Sequence, residues 1–216
     1  MSGVAIEIED LAVRYENGPP LLHDFSMAVH EGECVGIAGA SGCGKSTLLY
    51  CICGLIPHSI PAELTGSVRL FGRPVADLAR HELAQTLGIV FQNPDTQLFC
   101  DTVEDEIAFG MENICLSCDE MEQRMEECLA LTGLADLRMA SPKRLSGGQR
   151  QLVVLAAVLA LRPRILLLDE AFSQLDAAGR ARLLAHIRAL RDGGQTILIV
   201  DHAPENLSLA HRVLQL

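Results

Sequence analysis

The chain has 216 residues, enough for one domain with its own core. Hydrophobic residues make up 49%, which excludes a disordered chain, and a net charge of −11 argues against a surface built for nucleic acid or anionic lipid. No apolar run approaches the ~18 residues of a membrane helix, since the longest, 152–161, stops at Arg162-Pro163-Arg164. In chain order, residues 4–8 and 11–15 alternate and read as strands. The start, Met1-Ser2-Gly3-Val4-Ala5-Ile6-Glu7, lacks the basic segment and apolar core of a signal peptide. Asn17-Gly18-Pro19-Pro20 is a turn and 22–29 a further strand, so the chain opens with an antiparallel β layer.

Glu31-Gly32-Glu33 then turns into a buried strand, Cys34-Val35-Gly36-Ile37-Ala38. The next nine residues are Gly39, Ala40, Ser41, Gly42, Cys43, Gly44, Lys45, Ser46 and Thr47. They fit G-x-x-x-x-G-K-[ST] at every fixed position, and an apolar helical stretch follows at 47–53. Strand, glycine loop and helix together set the motif apart from a glycine-rich turn without a ligand. Glycines let the backbone wrap closely around an anion, and successive N–H groups at a helix N-terminus point at phosphate oxygens. Lys45 is then expected to reach the β- and γ-phosphates, and the Ser46 hydroxyl to ligate Mg²⁺.

Ile56-Pro57-His58-Ser59-Ile60-Pro61 is a breaker-rich link, 65–71 a strand and Gly72-Arg73-Pro74 a turn. The short buried strand 87–91 ends at Gln92-Asn93-Pro94, where Pro94 disfavours helix at Asn93. From there to about 161 the periodicity is helical. One helix spans 102–109. A second follows Ser117 and Glu120, which have capping-box spacing, packs Met121, Met125, Cys128 and Leu131 on one face and ends at Gly133. A third spans 149–161. The reading is a single α/β domain, with 1–92 and 162–216 as the core and 93–161 as an inserted helical subdomain. Ile165-Leu166-Leu167-Leu168 is a continuous apolar run, as in a central parallel strand. An amphipathic helix over 176–190 closes at Gly193-Gly194, Thr196-Ile197-Leu198-Ile199-Val200 is the next central strand, and 212–216 starts a last one. The eight cysteines read as reduced cytosolic thiols, because four lie in or beside the glycine loop and Cys115-Leu116-Ser117-Cys118 has no second pair to complete a zinc site.

Asp169 and Glu170 follow a central strand, where ligands sit in open α/β sheets. One carboxylate there can hold Mg²⁺ and its neighbour can orient and deprotonate a water. Leu145-Ser146-Gly147-Gly148-Gln149 opens a helix with a serine and two glycines, either a second anion-binding N-terminus or an ordinary cap.

These motifs, in this order, resemble the nucleotide-binding subunit of an ABC transporter over nearly the whole chain. The fold implied is a RecA-like P-loop core with an antiparallel β layer and an inserted helical subdomain. Gly39 to Thr47 is similar to the Walker A loop, Gln92 to the Q-loop glutamine and Ser146, Gly147, Gly148 and Gln149 to the signature. Asp169 ends a Walker B strand, with Glu170 at the catalytic-base position. Ser173-Gln174-Leu175-Asp176 resembles the D-loop, His202 stands at the switch-histidine position and Tyr15 where an aromatic stacks on adenine. Alone, Tyr15 is a strand packing residue and His202 a solvated histidine, and the ordered set reassigns both. The resemblance implies ATP as substrate, Mg²⁺ held by Ser46, Gln92 and Asp169, and catalysis through Glu170, His202 and Lys45. It also implies two cassettes head to tail, each ATP lying between one Walker A loop and the other's signature.

The stretch from Phe91-Gln92-Asn93-Pro94-Asp95-Thr96-Gln97-Leu98-Phe99 to 102–110 is similar to the energy-coupling-factor group, which drives uptake of vitamins and of cobalt or nickel ions. That implies a membrane coupling protein and a separate substrate-binding membrane protein as partners, a place on the cytoplasmic face of the membrane, and no nucleic acid. Many members continue past the last strand into a β-hairpin. Here the sequence ends at Leu216, which leaves open a short chain, half of a tandem protein or a shortened one. The other class of reading is a soluble ABC ATPase acting on ribosomes or DNA, whose second cassette or coiled coil is not seen in the sequence. A small-molecule kinase leaves the signature unexplained. Leu98 and Phe99 are expected to be exposed beside a groove around Gln92 that receives the partner's helices.

Overall fold

A computed structural model describes residues 3–16, 18–173 and 175–216. Met1, Ser2, Asn17 of the expected turn and Gln174 of the D-loop motif lie outside the described residues.

Two sheets form the core. The first is antiparallel and is built from β1 (Val4–Tyr15), β2 (Pro20–His30), β4 (Ala62–Leu70) and β5 (Arg73–Pro74), in the order β2-β1-β4-β5. The two strands expected over 4–15 are one continuous strand. Its pairing with β2 and with β4 shifts register on either side of Asp10, whose φ of 48° marks a bulge between Ile8 and Leu11. The second sheet is wholly parallel. It holds β6 (Leu87–Val90), β7 (Ile165–Asp169), β8 (Thr196–Val200), β3 (Cys34–Ala38) and β9 (Arg212–Gln215), in the order β6-β7-β8-β3-β9. Every residue of β7 and β8 is buried, which is why these strands read as unbroken apolar runs.

The sheets sandwich α1 (Lys45–Ile52), whose Leu48, Leu49 and Ile52 are fully buried between them. On the far face of the parallel sheet, α6 (Ala177–Asp192) packs through Leu183 and Ile187. Asp176 is the cap of this helix rather than its first residue, and its carboxylate accepts the Gly179 N–H at 2.7 Å. Two short helices were not legible. α2 (Arg80–Thr86) buries no residue, so it has no apolar stripe to read, and α7 (Pro204–Leu207) is a single turn.

Between β6 and β7 lie α3 (Val103–Asn113), α4 (Cys118–Thr132) and α5 (Gly147–Ala160), which share a separate apolar core. α3 runs past Phe109 through Gly110, where a Cβ would lie 3.1 Å from the Leu161 side chain just after α5. Glycine inside a helix costs roughly 0.5–1 kcal/mol. Burial of Ile107 and Met111, each contributing about 1.5–3 kcal/mol, outweighs it. α4 is capped by Ser117 and ends at Gly133, as expected, but its buried face carries Leu129 and Thr132, with Leu131 only half-buried. Leu98 also differs from expectation: it is half-buried and packs against the cores on both sides of the junction. Phe99 is the exposed one, at 63%. All eight cysteines are free thiols, and among the described residues no group of three or more His, Cys, Asp or Glu is placed to hold a metal ion.

Candidate functional site

β3 delivers the chain to the glycine loop at the carboxyl edge of the parallel sheet, and α1 begins at Lys45. The turn depends on Gly42 and Gly44, at φ 80° and 106°. Gly44 is the N-cap of α1, and a Cβ there would press on the Leu21 carbonyl oxygen at 3.1 Å. Ser41, Gly42, Gly44, Lys45, Ser46 and Thr47 line a cavity of about 240 Å³, closed on the other side by Leu21, Gln92 and Glu170.

Lys45 is buried at 5% exposure. Its Nζ donates to the Gly39 and Ala40 carbonyls at 2.9 and 2.8 Å and stands 3.9 Å from Glu170 Oε1. Glu170 has φ 45°, a costly conformation for a residue with a side chain, and its N–H is anchored on the Val200 carbonyl at 2.8 Å. The strain turns its carboxylate into the cavity. There Gln92 Nε2 donates to Oε2 at 2.9 Å, and His202 Nδ1 lies 3.4 Å from the same oxygen. Thus the ends of β6, β7 and β8 and the glycine loop converge on one carboxylate.

Asp169 is 4% exposed, with the Ser46 hydroxyl close enough to favour its charged form. Burial pushes its carboxyl above the usual carboxylate range and the Glu170 charge adds to this, while the Ser46 hydroxyl and the Lys45 charge oppose it. A carboxyl whose pKa is raised by folding lowers stability as pH rises from its unfolded toward its folded value. Asp169→Asn is therefore expected to raise the melting temperature of nucleotide-free protein at neutral pH and to shrink the extra stabilisation from Mg-ATP. Differential scanning fluorimetry with and without Mg-ATP checks both, and a lower nucleotide-free midpoint would contradict the account.

Tyr15 does not line the cavity. Its hydroxyl is 3.2 Å from Thr47 Oγ1, which ties the end of β1 to the start of α1. Ser146 and Gln149 form a capping box on α5: Ser146 Oγ accepts the Gln149 N–H at 3.2 Å and Gln149 Oε1 accepts the Ser146 N–H at 2.9 Å. The cap reading was thus correct as local structure. None of Ser146, Gly147, Gly148, Gln149 or Asp176 lines the phosphate-loop cavity of its own chain.

Three supporting residues escaped the sequence reading. Asp201 is 2% exposed and accepts from the Ala203 N–H and from Asn206 Nδ2, both at 2.8 Å, which holds the turn carrying His202. It follows an apolar strand as Asp169 does, and that parallel was the available signal. Gln97 braces the end of β6, accepting from the Phe91 N–H at 2.8 Å and donating to the Ile89 carbonyl at 3.0 Å. Glu106, 5% exposed, accepts the backbone N–H groups of Phe99 and Cys100. Both lie in the stretch similar to the energy-coupling-factor group, but nothing local in the sequence marks their bracing roles.

A glycine loop between a parallel strand and a helix, with acids at the neighbouring strand ends, defines a P-loop nucleotide-binding protein. The family model described as ABC transporter matches residues 22–173, and the chain belongs to that family, whose cassettes bind and hydrolyse ATP. It is 43% identical over 212 residues to an ABC transporter ATP-binding protein of Methanosarcina acetivorans, covering 97% of this chain and 33% of that protein. It is 41% identical to the energy-coupling factor transporter ATP-binding protein EcfA1 of Streptococcus pneumoniae, covering 97% of this chain and 75% of that protein. The chain spans 33% to 38% of the length of several such relatives. Among solved structures, the dimeric ATP-binding cassette MJ0796 in a post-hydrolysis state with ADP and Pi matches with TM-score 0.86 at 27% identity, covering 98% of this chain and 94% of that one.

Proposed function

We propose that this chain is the ATP-hydrolysing cassette of an uptake transporter of the energy-coupling-factor type, acting on the cytoplasmic face of the membrane. The observation that carries the reading is the convergence of Lys45, Gln92 and His202 on Glu170 at the mouth of the glycine loop. ATP places its phosphates in the loop, with Lys45 swinging from the Gly39 and Ala40 carbonyls to the β- and γ-oxygens. Glu170 accepts a proton from the water that attacks the γ-phosphorus in line, and Gln92 and His202 hold that carboxylate and the water in register. The donors beneath the loop suit Mg²⁺: the Ser46 hydroxyl and the buried Asp169 carboxylate are neighbouring hard oxygens, and Gln92, whose amide nitrogen now donates to Glu170, lines the same cavity. When bound with ATP, Mg²⁺ neutralises charge on the β- and γ-phosphates.

Lys45→Ala is the direct test. Loss of a charge-assisted bond of roughly 1.5–3 kcal/mol predicts ATP affinity and turnover lower by about tenfold or more. Unchanged ATPase activity would remove the assignment.

The cassette works as a pair, with Ser146 to Gln149 serving the nucleotide of its partner. This reading is supported by the absence of the signature from the lining of its own cavity and by the dimeric state named for the MJ0796 structure. The likeness to an energy-coupling factor transporter ATP-binding protein supports that group, and the resemblance to the group implies a membrane coupling protein and a separate substrate-binding membrane protein as further partners, with a vitamin or transition-metal ion as cargo. No helix among the described residues is long and apolar enough to cross a membrane, so the reading relies on those partners for membrane attachment. For their docking we favour the exposed pair Phe99 and Phe109, stacked edge-to-face with centroids 4.7 Å apart beside a groove of about 160 Å³ lined by Leu98, Val158 and Leu161. Phe99, rather than the half-buried Leu98, is the residue to change. Phe99→Glu is expected to keep the melting temperature within a few degrees and basal ATPase near wild type, while the membrane partners no longer co-purify from native membranes. Their undiminished recovery, identified by mass spectrometry, would move the docking site elsewhere.

A further inference from the structure

Gln92 touches Glu170 at the phosphate cavity, whereas Ser146 lies at the start of α5 and outside it. Two side chains on α5 join them. Past Gln92 the chain makes a 3-10 turn, Pro94–Thr96, in which Asn93 Oδ1 caps the Asp95 N–H at 3.1 Å. The Asp95 carboxylate meets Arg150 Nε at 2.8 Å. The same guanidinium donates through a terminal nitrogen to the Leu145 carbonyl at 2.8 Å, the residue directly before Ser146. Gln151, 1% exposed, donates to the Phe91 carbonyl at 3.1 Å, the residue directly before Gln92. Neighbouring residues of α5 therefore hold both the segment that senses this chain's nucleotide and the entry to its signature.

We infer that Asp95 and Arg150 form a clamp that couples the nucleotide on this chain's glycine loop to the placement of its Ser146–Gln149 cap against the nucleotide of the second cassette. Asp95 is 61% exposed and Arg150 26%, and an ion pair that open to water adds little to stability. Its placement is the more telling feature: one guanidinium sits between two segments, in close charge contact with Asp95 on one side and hydrogen-bonded to the Leu145 carbonyl on the other. A shift of Gln92 carries Asp95 with it, Asp95 carries Arg150, and Arg150 carries Leu145. Arg150 and Asp95 are positioning residues, since neither touches the phosphate cavity. The inference rests on the paired-cassette reading above.

The test compares Asp95→Ala, Arg150→Ala, the double variant and Asp95→Glu in the full chain. Equilibrium binding of a fluorescent ATP analogue, steady-state ATPase and thermal midpoint are measured for each, with Lys45→Ala as the reference. Each single alanine variant is expected to lower kcat about tenfold, on the scale of a coupling network, while its affinity for nucleotide stays within about twofold of wild type. The double variant should lose no more than the worse single, because both break the same link. Asp95→Glu, which keeps the charge, should recover most of the activity. Losses that multiply in the double variant would overturn the clamp, as would wild-type kcat in Asp95→Ala beside an inactive Lys45→Ala. A fall in thermal midpoint with kcat preserved would make the pair a purely structural contact and also overturn it. Full activity in Lys45→Ala would overturn the ATPase reading and the clamp with it.

Discussion

Glu170→Gln is expected to bind ATP as the wild type does and to hydrolyse it slower by about 10²-fold or more, the scale of a general base. The amide keeps the size of the side chain and its place on the strained turn at φ 45°. It also keeps an acceptor for Gln92 Nε2, which now donates at 2.9 Å. What it loses is the negative charge that takes a proton from water. Lys45, 3.9 Å away, loses its nearby counter-charge as well, which strengthens its grip on phosphate. Stalled chemistry with intact binding should trap the ATP-bound pair, seen as a larger species by light scattering with Mg-ATP. Full ATPase activity in this variant would end the assignment of Glu170 as base.

Ser146→Arg is expected to abolish hydrolysis while leaving ATP binding to the single chain nearly intact. Ser146 is exposed and contributes nothing to its own cavity, so no local route exists from the substitution to this chain's phosphates. On the paired-cassette reading the damage falls on the nucleotide of the partner cassette, where a long cationic side chain fills the space proposed for its phosphates. The cost within the fold is smaller. Ser146 caps α5 and accepts the Gln149 N–H at 3.2 Å, and losing such a cap costs about 1 kcal/mol. A thermal midpoint a few degrees lower is therefore part of the prediction, and Ser146→Ala, with the same cap loss and no bulk, measures that share. If Ser146→Arg loses ATP binding as severely as Lys45→Ala does, the head-to-tail arrangement is wrong.

The residues of the site were legible to different depths. Gly39 to Thr47 read as a phosphate loop because each position answers a local demand: a positive φ, a helix start, a cation one turn from the bend. Asp169 and Glu170 were found from strand-end position. What they do to each other was hidden, because the Asp169–Ser46 approach and the Gln92–Glu170 bond join residues far apart in the chain. Tyr15 shows the same divide. The resemblance implies a ring under adenine, while the fold adds a hydroxyl bond to Thr47 that no local pattern encodes. Leu98 and Phe99 are adjacent apolar residues with no distinguishing periodicity. Which of them is covered depends on how two cores meet at the junction.

By itself the sequence determined the elements whose signal is local. These are the apolar runs that became β7 and β8, the caps Ser117 and Ser146, and the glycine loop, because period, capping and backbone angle are properties of a few consecutive residues. Only the tertiary structure decided the order β6-β7-β8-β3-β9, and with it the meeting of four separate segments at Glu170. It also decided that Arg150 spans from Asp95 to Leu145. The physical reason is that strand order and side-chain reach are settled by which apolar faces bury one another. That burial is a sum over the whole chain and is not written in any one stretch of it.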